Sequence, residues 1–343
     1  MKAACYSKGA EGEKGLVVTE IERPVPGPEE ALVRVAAVGI CGSDLTLFSS
    51  GTLRDGYVMG HEVSGVIEET GTGVKGFSVG DRVVVRPAGC GRCPMCERGQ
   101  IHLCSAKLAI GTGSLMGGYA EYIRVPERML MAVPGTVSLR DAALVDTIAV
   151  ACHGISRADV APGEDVVVFG AGPIGLSALM VLRGRGAGRL GAVEVNERRR
   201  QSALGFGADR VYSPREEGYK QRLRDDFAGL GPDAVLEFAG RAVAVADALD
   251  IVRPAGRVAL VGVTFEPLTI YPIAITMREV SILPVFSTRP ADNTEALDFI
   301  RERREEAVRL VSDVIGIDEL PAVFSDLVAG ALKMKVLIEF FTE

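Results

Sequence analysis

The sequence predicts an α/β chain of two domains, one rich in short antiparallel strands and one built on a doubly wound parallel sheet. Three observations predict it. The chain has 343 residues, which is long for one hydrophobic core. Its first part holds short alternating β-like runs separated by glycine, among them "EALVRVAAVGI", "EVSGVIEETG", "DRVVVRP" and "YAEYIRVP". From about Leu139 onward, continuous apolar runs alternate with helical stretches, the pattern of a parallel sheet covered on both faces.

Each element follows in order. The early runs suggest a compact, barrel-like antiparallel domain. "SLRDAALVDTIAVACHGIS" reads as one helix, with Ser138 and Asp141 spaced as a capping box. Next come the strand "DVVVFG", the helix "PIGLSALMVLRGRG", the strand "RLGAVEV" and the helix "NERRRQSALGFGA". "AVLEFAG", "RAVAVADALDIVRPAG" and "RVALVGV" repeat the alternation. After about residue 288, "DNTEALDFIRERRE" and "DELPAVFSDLVAG" read as helices, and "MKVLIEFF" as a closing strand. A chain end that returns to strand is compatible with closure onto the first domain.

Composition narrows the function classes. Residues are 48% hydrophobic and 24% charged, ordinary for a globular protein. A net charge of -7 without a basic block gives a nucleic-acid role little support. "RERREE" (Arg301–Glu306) mixes signs as a solvated helix face does. "MKAACYSKGAEGEKG" at the start lacks an apolar h-region. The longest uncharged run, Val166–Leu182, is broken by three glycines and a proline, so no membrane role is expected and the cytoplasm is the expected compartment.

Three motifs carry chemistry. "CGRCPMCERGQIHLC" places Cys90, Cys93, Cys96 and Cys104 as C-x2-C-x2-C-x7-C. Four thiolates at short spacing suit a closed tetrahedral zinc site of structural type. Reduced buried thiols and an iron–sulfur cluster are the alternatives. The seven cysteines are odd in number and clustered, which favours metal over disulfides.

"FGAGPIG" sets Gly170, Gly172 and Gly175 as G-x-G-x-x-G between a strand and a helix. The first glycine permits a tight turn, the second lets backbone approach a pyrophosphate, and the third lets helix pack on strand. Pro173 and Ile174 complete the turn. Glu194 ends the next strand-like run about 20 residues on, where a carboxylate can bind the adenosine ribose diol and favour NAD over NADP. Arg199 could lie against the adenine, while Arg198–Arg200 could instead pair with a 2′-phosphate.

"GHEVSGVIEETGTGV" carries His61 and Glu62, and "VGICGSDLTLF" carries Cys41. Taken singly, His61 reads as a core or surface histidine and Cys41 as a buried thiol. Beside a dinucleotide motif, thiolate, imidazole and carboxylate make a catalytic zinc set with an exchangeable position.

Together these residues resemble the zinc-dependent medium-chain alcohol dehydrogenases, in particular their polyol and threonine dehydrogenase branch. "GICGSDL", "GHEVSGVIEETGTGVKGFSVGDRVVV", "CGRCPMCERGQIHLC", "GGYAEYIRVP" and "VVVFGAGPIGLSAL" occur in the family's order over nearly the whole chain. The resemblance implies a GroES-like catalytic domain (residues 1–150 and 289–343) with a Rossmann NAD-binding domain (residues 151–288) inserted. It implies two zinc ions per chain. Cys41 and His61 match the first two ligands of the catalytic one. Asp146 falls where relatives place cysteine, glutamate or aspartate, and Glu62 matches a carboxylate that ligates or stands behind. Cys90, Cys93, Cys96 and Cys104 match the lobe zinc.

The resemblance further implies hydride exchange between NAD and a secondary alcohol, with zinc acidifying the alcohol and Ser43 taking its proton. The expected substrate is a small polyol, cyclitol, amino alcohol or the matching ketone, and the expected assembly a homodimer or homotetramer. Thr46 departs from relatives, many of which carry histidine near this position as a proton relay; threonine can pass a hydrogen bond but holds no proton near neutral pH. Phe48, Leu115 and Met116 are possible pocket residues, with plain packing as the other reading. His153 reads as structural. A zinc-free enoyl or quinone reductase and a non-catalytic NAD(P)-binding relative are the competing readings. The set Cys41, His61 and Asp146 argues against the first, and the intact glycine motif against the second.

Overall fold

The computed structural model describes residues 1–9 and 13–342; the "AEG" portion of the opening stretch lies outside them. The chain forms two compact units, residues 1–146 with 289–343, and residues 147–288.

The first unit opens with the hairpin β1 (Lys2–Lys8) and β2 (Lys14–Glu20). Then come β3 (Glu30–Gly39), α1 (Gly42–Ser50), β4 (Glu62–Thr70), β5 (Arg82–Val85), α2 (Pro94–Glu97), β6 (Tyr122–Pro126), β7 (Leu130–Ala132) and α3 (Leu139–Ala142). Strand β3 is the pivot, since it pairs antiparallel with both β4 and β6. It is buried along nearly its whole length, with only Arg34 exposed, and Val33, Val35 and Val38 sit in one core with Tyr6, Met59 and Tyr119.

The expected single helix from Ser138 is two. α3 starts at Ser138, whose hydroxyl accepts the Asp141 N–H at 3.1 Å. The Asp141 carboxylate is taken by Arg304 at 2.6 Å, and the chain turns before α4 (Val145–Arg157) begins.

The second unit continues with β8 (Val166–Phe169), α5 (Pro173–Gly184), β9 (Leu190–Val193), α6 (Glu197–Gly205), β10 (Arg210–Tyr212) and α7 (Tyr219–Asp226). It closes with β11 (Ala234–Glu237), α8 (Ala242–Ile251), β12 (Arg257–Leu260), α9 (Pro272–Thr276) and β13 (Ser281–Pro284). Its six strands are all parallel, in the order β10-β9-β8-β11-β12-β13. The order reverses between β8 and β11, the switch point at which doubly wound sheets bind ligands.

The chain then returns to the first unit as α10 (Pro290–Glu302), α11 (Arg304–Ala307), β14 (Val311–Ile315), α12 (Leu320–Val328) and β15 (Lys335–Glu339). Strand β15 lies antiparallel to β3, with Leu337 opposite Gly39. No helix among the described residues is long and apolar enough to cross a membrane.

Candidate metal and cofactor sites

The first site forms where β3 leaves the sheet and β4 enters it. Gly39 and Glu62 are register partners, so Cys41, two residues past one strand, lies beside His61, one residue before the other. Ligand atoms of Cys41, His61 and Glu62 lie within 4.8 Å of one another. Gly39 is required here: a Cβ on it would stand 1.9 Å from a Glu62 carboxylate oxygen.

Asp44 organises these residues. Its carboxylate accepts the Cys41 backbone N–H at 2.9 Å, which fixes the start of α1. The same carboxylate meets His61 Nδ1 at 3.2 Å and accepts the Tyr119 hydroxyl at 2.9 Å. Nε2 is therefore the ring nitrogen left to face a ligand, the carboxylate–histidine arrangement that orients metal-binding imidazoles. Burial disfavours the His61 imidazolium, but Asp44 and then Cys41 more than reverse this, and its proton affinity stands well above ordinary histidine. Burial would raise the Asp44 carboxyl; His61, the Cys41 N–H and Tyr119 bring it below its usual value.

Glu62 does not stand free. Lys335, the first residue of β15, places Nζ 2.8 Å from each Glu62 carboxylate oxygen and donates to the Ile40 carbonyl at 3.1 Å. Both side chains are almost fully buried, 3% and 1% exposed. Burial would drive Lys335 toward its neutral form; Glu62, then Cys41, hold it charged above the ordinary lysine value.

Asp146, in the first turn of α4, has Oδ2 3.9 Å from His61 Nε2, but lies outside the close grouping of the other three. Burial raises its carboxyl to about 6, with Glu62 adding to the rise and His61 opposing it. Ser43 Oγ is 3.3 Å from His61 Nε2. Thr46 is exposed and donates its hydroxyl to the Gly42 carbonyl at 3.1 Å, so it engages its own helix. Phe48 is a core residue stacked edge-on against Tyr6 and Phe324. Leu115 packs against that core, and Met116 is exposed.

The donor set fits zinc: a cysteine sulfur, an imidazole oriented from behind and the Glu62 carboxylate lie close together, with Asp146 near His61. The four lobe cysteines fit as well. Cys93 Sγ lies 3.6 Å from Cys96 Sγ and 3.7 Å from Cys104 Sγ. A tetrahedron with Zn–S bonds of about 2.3 Å has edges of about 3.8 Å. The Cys90 N–H donates to Cys104 Sγ at 3.4 Å. Backbone N–H groups of Arg92 and Cys96 draw Cys90 and Cys93 toward thiolate, while burial pushes Cys96 up.

In the second unit, Gly170 has φ +91 and closes the turn after β8. Gly175 lets α5 pack on that turn, because a Cβ there would lie 1.9 Å from the Gly170 carbonyl oxygen. Gly172 caps α5, Pro173 occupies its first turn, Ile174 follows, and no atom lies within 4 Å of where a Gly172 Cβ would stand. That open face over a twelve-residue helix suits a pyrophosphate. Glu194 accepts the N–H groups of Ala171 and Asn196, each at 2.9 Å. Its carboxylate therefore ties the glycine turn to the end of β9 while keeping lone pairs for a ribose. Arg199 lies in the first turn of α6, where its N–H bonds the Asn196 cap at 3.1 Å.

Comparison with known proteins agrees with this arrangement. Residues 27–135 match the alcohol dehydrogenase GroES-like domain, and residues 173–302 match the zinc-binding dehydrogenase domain. A probable D-xylulose reductase A from Arthroderma otae is 32% identical, covering 90% of each chain. A sorbitol dehydrogenase from Bacillus subtilis is 30% identical over 91% of this chain and 90% of its own. The crystal structure of an alcohol dehydrogenase from Thermus sp. ATN1 superposes with a TM-score of 0.91 at 30% identity, covering 99% of each chain.

The fold and the two sites define a zinc-binding, nicotinamide-dependent oxidoreductase. This chain belongs to the zinc-dependent medium-chain alcohol dehydrogenase family. Its members act on small alcohols and their carbonyl counterparts.

Proposed function

We propose that this enzyme interconverts a secondary hydroxyl of a polyol, cyclitol or amino alcohol with the corresponding ketone, using NAD. The polyol-acting relatives support the substrate class. The observation that carries the cofactor reading is the Glu194 carboxylate fixed at the end of β9, which would repel a 2′-phosphate.

Cys41, His61 and Asp146 would hold the catalytic zinc, with Glu62 beside them, and Cys90, Cys93, Cys96 and Cys104 the structural one. When bound, zinc supplies Lewis acidity toward an alcohol oxygen, and the nicotinamide supplies the hydride acceptor. Asp44 holds His61 in one tautomer, with Nε2 as the ligating atom. Lys335 bonds both Glu62 carboxylate oxygens and fixes that side chain behind the site. Ser43, exposed and with Oγ 3.3 Å from His61 Nε2, accepts the substrate hydroxyl's proton while releasing its own to solvent, so it relays the proton and does not hold it. Gly172 and the α5 N-terminus cradle the pyrophosphate, and Glu194 takes the adenosine ribose.

The test is an NAD reduction screen across polyols, cyclitols, amino alcohols and simple secondary alcohols, repeated with NADP. We expect turnover with at least one secondary diol or polyol and a preference for NAD. Glu194→Ala should erode that preference. No turnover with any secondary alcohol would defeat the substrate class; equal preference before and after the substitution would defeat the role of Glu194.

We also infer a homodimer or homotetramer. β13 ends the parallel sheet, and Phe265, Tyr271, Ile273, Met277 and Phe286 near it are 59–87% exposed. Sedimentation equilibrium should give a mass of two or four chains of 36.3 kDa, and a monomer at micromolar concentration would exclude this reading.

A further inference from the structure

Glu237 is a buried acid that no step above uses. It is the last residue of β11, opposite Phe169 on β8 and Leu260 on β12, at the point where the strand order reverses. Its side chain is 0% exposed. Oε1 accepts the Gly240 N–H at 2.8 Å, and the backbone of Ala239 and Arg241 on either side of Gly240 favours the charged carboxyl. Oε2 is buried and has no hydrogen-bond partner among the described residues. The turn gathered by this carboxyl backs the cofactor loop directly. A Cβ on Gly170 would lie 3.0 Å from the Ala239 nitrogen and 3.3 Å from the Ala239 Cβ, while the Phe238 N–H donates to the Phe169 carbonyl at 2.9 Å. The first glycine of the fingerprint is thus seated against a turn whose shape one side chain fixes.

We propose that Glu237 is a positioning residue for the dinucleotide: its carboxyl fastens the turn 238–241 against Gly170 and thereby sets how tightly the cofactor is held. The proposal rests on the reading of the second unit as the cofactor-binding unit. Full burial keeps Glu237 from touching the ligand, so it acts through the turn.

Its chemistry gives the proposal a signature. Burial outweighs the pull of the Gly240, Ala239 and Arg241 backbone and raises the carboxyl to about 7. No charged side chain contributes to that rise. The charged residues on the adjoining segments are Arg241 and Glu266, paired with each other at 2.7 Å, and Glu194 beyond Gly170, bound to the Ala171 N–H at 2.9 Å. Phe169 and Leu260, the register partners on β8 and β12, bring no charge. Up to neutral pH the buried Oε2 can carry a proton; above it, the turn must hold a charge with an unbonded oxygen.

The test measures NADH binding to the zinc-loaded enzyme by nicotinamide fluorescence, alongside KM for NAD and kcat. Glu237→Ala removes the acceptor for the turn, equivalent to one or two net hydrogen bonds, so the NADH Kd and KM for NAD should rise on the order of tenfold while kcat holds within about threefold. Glu237→Gln keeps a carbonyl for the N–H groups and should bind as wild type at pH 6. Between pH 6 and 8 wild-type affinity should weaken and that of Glu237→Gln should stay level. If Glu237→Ala does not fold, this pH comparison decides the matter. Alanine binding NADH as tightly as wild type, or wild type and Glu237→Gln losing affinity in parallel, would overturn the proposal. Failure of wild type itself to bind NADH would instead strike the cofactor reading beneath it.

Discussion

Replacing Lys335 by alanine is expected to lower the unfolding midpoint by roughly 6–20 °C. The ammonium makes its bonds in a nearly dry environment: two to Glu62 and one to the Ile40 carbonyl. Removing it leaves a buried carboxylate with its partner gone and Cys41 beside it. Breaking a buried pair from one side costs about 3–5 kcal/mol, far above the worth of a surface ion pair. The same unit contains an exposed pair for comparison, Lys2 with Asp318 at 3.1 Å, and Lys2→Ala should move the midpoint little. A double substitution separates charge from packing. Lys335→Met with Glu62→Gln removes both charges and keeps most of the volume, so it should recover much of the loss. Activity should not recover with it, because Glu62 then brings no negative charge to the site. Calorimetry reads the first effect and turnover the second. A Lys335→Ala protein that melts with wild type would show that the pair contributes nothing to holding β15 on β3.

How much of this was legible in the sequence divides along physical lines. The parallel unit was readable because buried parallel strands are continuous apolar runs, and the glycine turn announces its own backbone geometry. The cysteine quartet was readable because its ligands are local. Asp44 was missed, although its position three residues after Cys41 is the spacing of a carboxylate that caps a helix start and could have been found. Lys335 had no such signal. It stands 273 residues from Glu62 in the chain, and "MKVLIEFF" reads only as a closing strand. Only the pairing of β15 with β3 turns that lysine inward. Glu237 was hidden for a similar reason: a glutamate ending an apolar strand looks like a boundary residue until the turn folds back over it. The helix predicted from Ser138 is interrupted at residues 143–144, where the Leu144 N–H bonds the Asp141 carbonyl at 3.0 Å in a tightened last turn. Of the two readings of Phe48, plain packing holds, since α1 turns it into the core with Tyr6 and Phe324.

Replacing Cys41 by serine is expected to lower kcat/KM by roughly a thousandfold or more and zinc content from about two per chain to about one. A hydroxyl is a poor replacement for a thiolate on zinc, and the Lewis acid is asked to supply several kcal/mol of the barrier reduction, at 1.36 kcal/mol per tenfold. Stability should change little. The Cys41 backbone N–H still reaches Asp44, so α1 keeps its start, and Lys335 still neutralises Glu62. Cys93→Ser makes the opposite prediction. Its sulfur lies within 3.7 Å of two other thiols, and without it the lobe around α2 loses the closed ligand shell that organises it. Zinc content should again fall to about one, now with a lower unfolding midpoint. The two variants thus lose the same metal count by different routes, one through chemistry and one through folding. Plasma emission spectrometry, thermal unfolding and turnover on each variant distinguish them. Full activity in Cys41→Ser at one zinc per chain would remove Cys41 from the catalytic set and return the site to a zinc-free reading of the fold.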